Sequence, residues 1–211
     1  MPRLEFWFEF GSTYSYPAVM RIEKLAQAAG VAVDWKPFLL GPIFSEQGWS
    51  DSPFNLYPAK GRYMWRDLER ICAALSIRFV RPSKFPRNGV LAAQVACWFA
   101  SEPWITGFSK AIFCANFAED REISDPEVVL ACLNGLGLDG PRLLEQAQTA
   151  ESKAKLRAQT EYAMSRGIFG APSFLAGEEM FWGNDRLEEA LAWARSGNES
   201  GSTISGSRAA P

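Results

Sequence analysis

The first forty residues of this chain constrain its fold more than any other part. Leu4, Phe6, Phe8 and Phe10 alternate with Glu5, Trp7 and Glu9. A period of two with this aromatic content predicts a strand. Gly11-Ser12-Thr13 breaks the alternation. From about Ser15 to Ala29 the apolar set Val19, Ile22, Leu25, Ala26 and Ala29 recurs at helical spacing. Pro17 fits in the first turn, where no intrahelical donor is needed, and Gly30 suits the position just past the helix end. Val31, Val33 and Trp35 then alternate again as far as Pro37. A helix between two strands predicts a parallel pair joined by a right-handed crossover.

The segment from Phe38 to Pro58 reads as an irregular loop, punctuated by Gly41-Pro42, Gly48, Ser52-Pro53 and Pro58. It also holds Phe38, Leu39, Leu40, Phe44, Trp49, Phe54 and Tyr57. Long structured loops in compact domains are often functional. These rings suit a planar aromatic ligand and a packed core equally well. From Ala59 to about Arg166 the pattern is helical throughout, with candidate spans 60–75, 88–101, 104–118, 125–136, 141–148 and 151–166. Pro126 and Pro141 mark first helical positions, and Ser124, Asp125 and Asp139 are capping candidates. RPSKFPRN, over 81–88, reads as a loop.

Strand character returns near the end. Ser173–Ala176 and Glu179–Trp182, separated by Gly177, predict a hairpin. Residues 185–195 follow as an amphipathic helix with Leu187, Ala190, Leu191 and Ala194 inward. Residues 196–211, SGNESGSTISGSRAAP, predict a disordered tail. Setting the helical block aside leaves β-α-β-β-β-α. That is an α/β fold with a thioredoxin-like core, interrupted by an all-helical insertion. The expected division is a discontinuous thioredoxin-like domain over 1–58 and 167–195, with the helical insertion over 59–166.

Composition then narrows the chemistry. The 211 residues contain 22 Lys plus Arg, 24 Asp plus Glu and no histidine. A 47% hydrophobic fraction supports a sizeable core. A formal charge of −2 gives no basic face for nucleic acid. Without histidine there is no Ser-His-Asp or Cys-His relay, and the side chain most used for proton transfer near neutrality is missing. Cys72, Cys97, Cys114 and Cys132 form no C-x-x-C or metal-ligand spacing and sit among apolar neighbours. They read as reduced, buried thiols, which fits a cytoplasmic setting. No apolar run is long enough to span a membrane, and the N-terminal MPRLEFWFEF lacks signal-peptide character.

Four local features could carry chemistry. Ser12 lies where the first strand turns into the first helix, in reach of the helix dipole and unpaired N–H groups. It could donate to a thiolate brought by another molecule, or it could simply cap the helix. Ala171-Pro172 precedes the third strand. A cis bond there would turn the Ala171 backbone outward, whereas position alone favours trans. Asn184-Asp185 opens the last helix, as caps or as contacts to a ligand ammonium group. Lys60, Arg62 and Arg66, near Asn55, form a positive cluster that is either a solvated face or a carboxylate site.

Taken in order, FEFGSTYSYPA, WKPFLLGPIF, FNLYPAKGRYMWRDLER, FGAPSFL and FWGNDRL resemble the 2-hydroxychromene-2-carboxylate isomerases. These are relatives of the kappa-class glutathione transferases within the DsbA-like thioredoxin superfamily. The resemblance covers roughly residues 4–195. It implies a cytoplasmic, homodimeric enzyme that uses glutathione to isomerise a small aromatic carboxylate in aromatic-compound catabolism. It implies that Ser12 faces the glutathione sulfur and that Ala171, before a cis-Pro172, pairs its backbone with the tripeptide. Asn184 and Asp185 are implied at the γ-glutamyl end, with Asn55 and Lys60 in the active-site loop. One departure stands out: the family often has Ser-Pro where this chain has Ser12-Thr13, which restores a backbone donor. Two other readings are a kappa-like transferase that conjugates glutathione to electrophiles and a non-catalytic thioredoxin-like binding module.

Overall fold

The computed structural model describes residues 1–200, with side chains through 197. Strand β1 (Arg3–Phe8) lies parallel to β2 (Ala32–Pro37), with Leu4 opposite Val33 and Phe6 opposite Trp35. Helix α1 (Ser15–Ala29) connects them. Gly30 ends it at φ +67°, in the left-handed region, and its N–H turns back to the carbonyls of Ala26 and Gln27. The Phe38–Pro58 segment is not irregular as expected, for it forms α2 (Leu40–Glu46) and the single turn α3 (Pro53–Leu56). Both prolines sit in first turns, where no N–H is needed, and the Ser52 hydroxyl accepts from the Phe54 N–H.

The helical block comprises α4 (Pro58–Ala74), α5 (Val90–Trp98), α6 (Ile105–Phe117), α7 (Pro126–Gly135), α8 (Gly140–Ala147) and α9 (Ala150–Ser165). Asp125 and Asp139 cap α7 and α8, each accepting a backbone N–H of the first turn. Strands β3 (Ser173–Ala176) and β4 (Glu179–Trp182) complete one sheet in the order β2-β1-β3-β4. β1 pairs antiparallel with β3, and β3 with β4. A 3₁₀ turn at Asn184–Arg186 leads into α10 (Leu187–Ser200). The helix therefore passes residue 196, where the tail was expected to begin, and 201–211 lie outside the described residues. This is a thioredoxin-like α/β core with a helical insertion.

As an inner strand β1 is covered on both faces. Leu4, Phe6 and Phe8 are fully buried in the larger core, with α1 and α10 packed on that side of the sheet. Trp7, on the opposite face, is also fully buried, against Phe38, Ile43, Ala163, Ile168 and Leu175. Each such ring contributes about 1.5–3 kcal/mol by leaving water. Phe8 and Phe10 reach Phe113 of α6, with centroids 6.1 and 5.2 Å away, and Phe113 stacks on Tyr16 of α1. This aromatic seam fixes the helical block against the end of β1, where the chain turns into α1.

Candidate active site

The turn from β1 into α1 is built from Glu9 to Tyr14. The Ser12 N–H donates to the Glu9 carbonyl at 3.0 Å, and the Ser15 N–H donates to Ser12 Oγ at 3.3 Å. Ser12 Oγ therefore takes up the N–H of the first residue of α1, although the N-cap position itself is Tyr14, which makes no side-chain cap bond. The Ser12 hydroxyl proton goes elsewhere, to the Ala171 carbonyl at 2.9 Å, 159 residues away in sequence. The Ala171–Pro172 peptide bond is cis, as the resemblance implies, and a second cis bond occurs at Phe85–Pro86. The Pro172 carbonyl accepts the Gly183 N–H at 2.9 Å. That bond ties the corner before Asn184 to the same neighbourhood.

Thr13 is buried, and its hydroxyl meets the Met64 sulfur of α4 at 3.1 Å. The Thr13 and Tyr14 N–H groups have no hydrogen-bond acceptor among the described residues. The Tyr14 hydroxyl donates to Asp67 at 3.0 Å, and burial together with that carboxylate pushes its pKa up. Helix α4 thus clamps the turn through Met64 and Asp67. Gly11 is required here: a Cβ would lie 2.8 Å from the Arg87 carbonyl oxygen.

The other expected residues are held differently. Asn184 is buried and engaged by Arg21 of α1, which donates to its carbonyl at 2.6 Å and to its Oδ1 at 3.1 and 3.3 Å. Arg21 also pairs with Glu188. Asp185 beside it is exposed, and its only ion pair among the described residues is to Arg186 at 3.7 Å. Asn55 and Lys60 do not touch Ser12. The Asn55 amide donates to Asp51 and to the Phe85 carbonyl, and the Lys60 ammonium lies over the Tyr57 ring at 4.8 Å. Both nevertheless belong to elements packed on the turn. Phe54 approaches Tyr14, with centroids 6.1 Å apart, and Lys60 is one helical turn before Met64. Arg62 and Arg66 are solvent-exposed, the latter paired with Glu69.

All four cysteines are unpaired, and burial raises the thiol pKa of Cys72 and Cys132 to about 11. They form no reactive centre. Two residues escaped the sequence reading. Arg21 lies on a helix whose spacing reveals only its apolar face. Glu9 accepts the Gly11 N–H at 3.0 Å, and burial pushes its carboxyl up to about 7. A carboxylate two residues before a glycine, at the end of an aromatic strand, was the available signal. No helix among the described residues is long and apolar enough to cross a membrane.

The family model described as a DSBA-like thioredoxin domain matches residues 3–192. A 2-hydroxychromene-2-carboxylate isomerase of Sphingobium xenophagum is 26% identical over 186 residues, spanning 88% of this chain and 94% of that protein. Human glutathione S-transferase kappa 1 is 26% identical over 207 residues, 89% of each. A solved 2-hydroxychromene-2-carboxylate isomerase superposes with a TM-score of 0.81 at 26% identity, covering 95% of this chain and all of that one.

Proposed function

The chain belongs to the DSBA-like thioredoxin family, and on that premise we propose that it is a glutathione-dependent isomerase acting on 2-hydroxychromene-2-carboxylate or a related aromatic carboxylate. The observation that carries this reading is the 2.9 Å bond from Ser12 Oγ to the Ala171 carbonyl. It joins the hydroxyl and the backbone carbonyl that a cysteinyl ligand needs, in a turn with no thiol of its own. The residues fit glutathione: a hydroxyl for the sulfur, the Ala171 backbone for the peptide, and Thr13 and Tyr14 N–H groups without acceptors beside it. The exposed carboxylate of Asp185 suits the γ-glutamyl ammonium, and Lys60 the anionic substrate.

Glutathione, when bound, supplies a thiolate that adds to the conjugated carbon of the substrate, lets the former double bond turn, and departs. Ser12 and α1 stabilise its charge. Moving a thiol pKa from ~8.5 to ~6.5 requires about 2.7 kcal/mol. A hydrogen bond to a charged group contributes about 1.5–3 kcal/mol, and a helix N-terminus about 0.3–1 kcal/mol. Together they meet the requirement. In the free protein the Ser12 proton is held on the Ala171 carbonyl. A ligand N–H that takes over this carbonyl releases the hydroxyl to the sulfur.

The test is the spectral change of 2-hydroxychromene-2-carboxylate with and without glutathione. No conversion in the presence of glutathione refutes 2-hydroxychromene-2-carboxylate as the substrate, and equal conversion without glutathione refutes the glutathione dependence. The similarity to human kappa transferase favours a second reading, conjugation of glutathione to an electrophile. The two differ in whether glutathione is consumed.

A further inference from the structure

The ladder of β1 ends at Phe8, whose carbonyl accepts the Phe38 N–H at 3.0 Å. Phe10 lies beyond it, fully buried, and no backbone N–H of the described residues reaches its carbonyl. A side chain from the helical insertion does. Asn116 of α6, only 1% exposed, donates from Nδ2 to the Phe10 carbonyl at 3.0 Å. A buried carbonyl left without a donor is costly, so this bond holds Phe10 in place.

Arg87 sets the orientation of that amide. Its buried guanidinium donates at 3.2 Å to Asn116 Oδ1 and at 3.2 Å to the Asn116 carbonyl. A guanidinium only donates, so the amide oxygen must face it, and the amide NH2 is left for Phe10. Arg87 is fixed in turn by the Ser83 hydroxyl and by both the carboxylate and the carbonyl of Asp120. It also meets the turn a second time. Its own carbonyl lies so close to Gly11 that a Cβ there would come within 2.8 Å. Ser12 follows directly, with its N–H on the Glu9 carbonyl at 3.0 Å and its hydroxyl on the Ala171 carbonyl at 2.9 Å. Phe10 and Gly11 are thus held from the helical block, and Ser12 reaches Ala171 from that anchorage.

We propose that Asn116, oriented by Arg87, is a positioning residue of the Ser12 site. It fixes the Phe10 carbonyl and so places the Ser12 hydroxyl where the glutathione sulfur is bound; it touches neither sulfur nor substrate itself. This rests on the glutathione reading above. The thioredoxin-like core supplies the serine, and the helical insertion determines where its hydroxyl stands.

The experiment is a double-mutant cycle on the whole chain: wild type, Asn116→Ala, Ser12→Ala and the double variant. Ultraviolet absorbance of the thiolate, followed against pH, gives the thiol pKa of bound glutathione in each. Calorimetry gives the affinity for S-methylglutathione, which has no ionisable thiol. Asn116→Ala should raise the bound thiol pKa by about one unit, within the ~1–2 units expected for loss of the hydroxyl itself. With Ser12→Ala already in place, the same substitution should move it by less than about 0.3 unit, because no hydroxyl remains to be placed. S-methylglutathione should bind all four proteins within about twofold, since the tripeptide contacts are untouched. A merely structural role predicts otherwise: an equal shift in both backgrounds, no shift in either, or a matching loss of S-methylglutathione affinity overturns the proposal. Asn116→Asp keeps the side-chain volume and an acceptor for Arg87 while removing the donor to Phe10. It enters the same cycle, with the same expected and refuting results, should Asn116→Ala fail to fold. Wild type that binds neither glutathione nor S-methylglutathione overturns the glutathione reading and this proposal with it, whereas equal shifts in the two backgrounds overturn this proposal alone.

Discussion

Replacing Ser12 by Ala separates its two roles. In the free protein Ser12 Oγ donates to the Ala171 carbonyl at 2.9 Å and accepts the Ser15 N–H at 3.3 Å. Removing this neutral pair costs about 0.5–1.5 kcal/mol each at most, because water can reach a residue that is 9% exposed. For a chain of this size, at roughly 2–4 °C per kcal/mol, the two bonds together lower Tm by about 2–12 °C. The catalytic loss is larger. A hydrogen bond to a thiolate contributes about 1.5–3 kcal/mol, so Ser12→Ala should lower turnover about 10- to 150-fold. The same energy raises the pKa of bound glutathione by about 1–2 units, because one unit is ~1.36 kcal/mol. The acid limb of the pH–rate profile, where thiolate forms, must therefore move to higher pH along with the rate loss. The KM for glutathione should change little, since the tripeptide backbone is bound elsewhere. The assay is isomerisation rate against pH at saturating glutathione, together with a melting curve. An unchanged rate and profile would refute the reasoning, as would a rate loss with no shift of the limb.

Three further outcomes follow from the same geometry. Gly11→Ala puts a Cβ 2.8 Å from the Arg87 carbonyl, so the Ser12 turn must shift; overpacking of this kind costs about 1–3 kcal/mol, and both Tm and turnover should fall. Arg21→Met leaves the Asn184 carbonyl and carboxamide without their guanidinium partner; a loss of about 1.5–3 kcal/mol is expected in a denaturant titration, with KM for glutathione rising more than kcat falls. Glu9 titrates near 7 in the folded chain, against an ordinary value of 4.5. The native state thus holds more protons than the unfolded state between these values, and stability should decline as pH rises through that window. Melting curves from about pH 5 to 8 should show a flatter dependence in Glu9→Gln, and equal slopes would contradict the raised titration.

Much of the fold was legible because local rules carried it. The hairpin at 173–182 and the starts of α7 and α8 follow from alternation, prolines at first helical positions and aspartate caps. The reading failed where local signals compete. Gly41-Pro42 and Ser52-Pro53 looked like loop punctuation but are helix starts, because a proline in a first turn costs no hydrogen bond. Trp7 alternates with two glutamates, yet it is fully buried, because α9 and the Phe38–Ile43 segment cover that face. Ser12 illustrates a limit of another kind. Cap and ligand group were alternatives in sequence, and in the folded chain the hydroxyl accepts the Ser15 N–H through a lone pair while its proton is held on the Ala171 carbonyl.

By itself the sequence determined the order of elements and the chemical inventory: a strand–helix–strand opening, no histidine, no cysteine pair, and a serine at the head of the first helix. These depend on residue spacing and on counts, which need no neighbours in space. Tertiary structure alone decided which of these groups meet. Pairing of β1 with β3 brings Ser12 onto the Ala171 carbonyl across 159 residues, and packing of α1 against the start of α10 places Arg21 on Asn184 across 163. It also decided the state of Glu9. A carboxyl's affinity for its proton is set by how much water folding removes from it, and that depends on the loop carrying Arg87 and Gly89, eighty residues further along the chain.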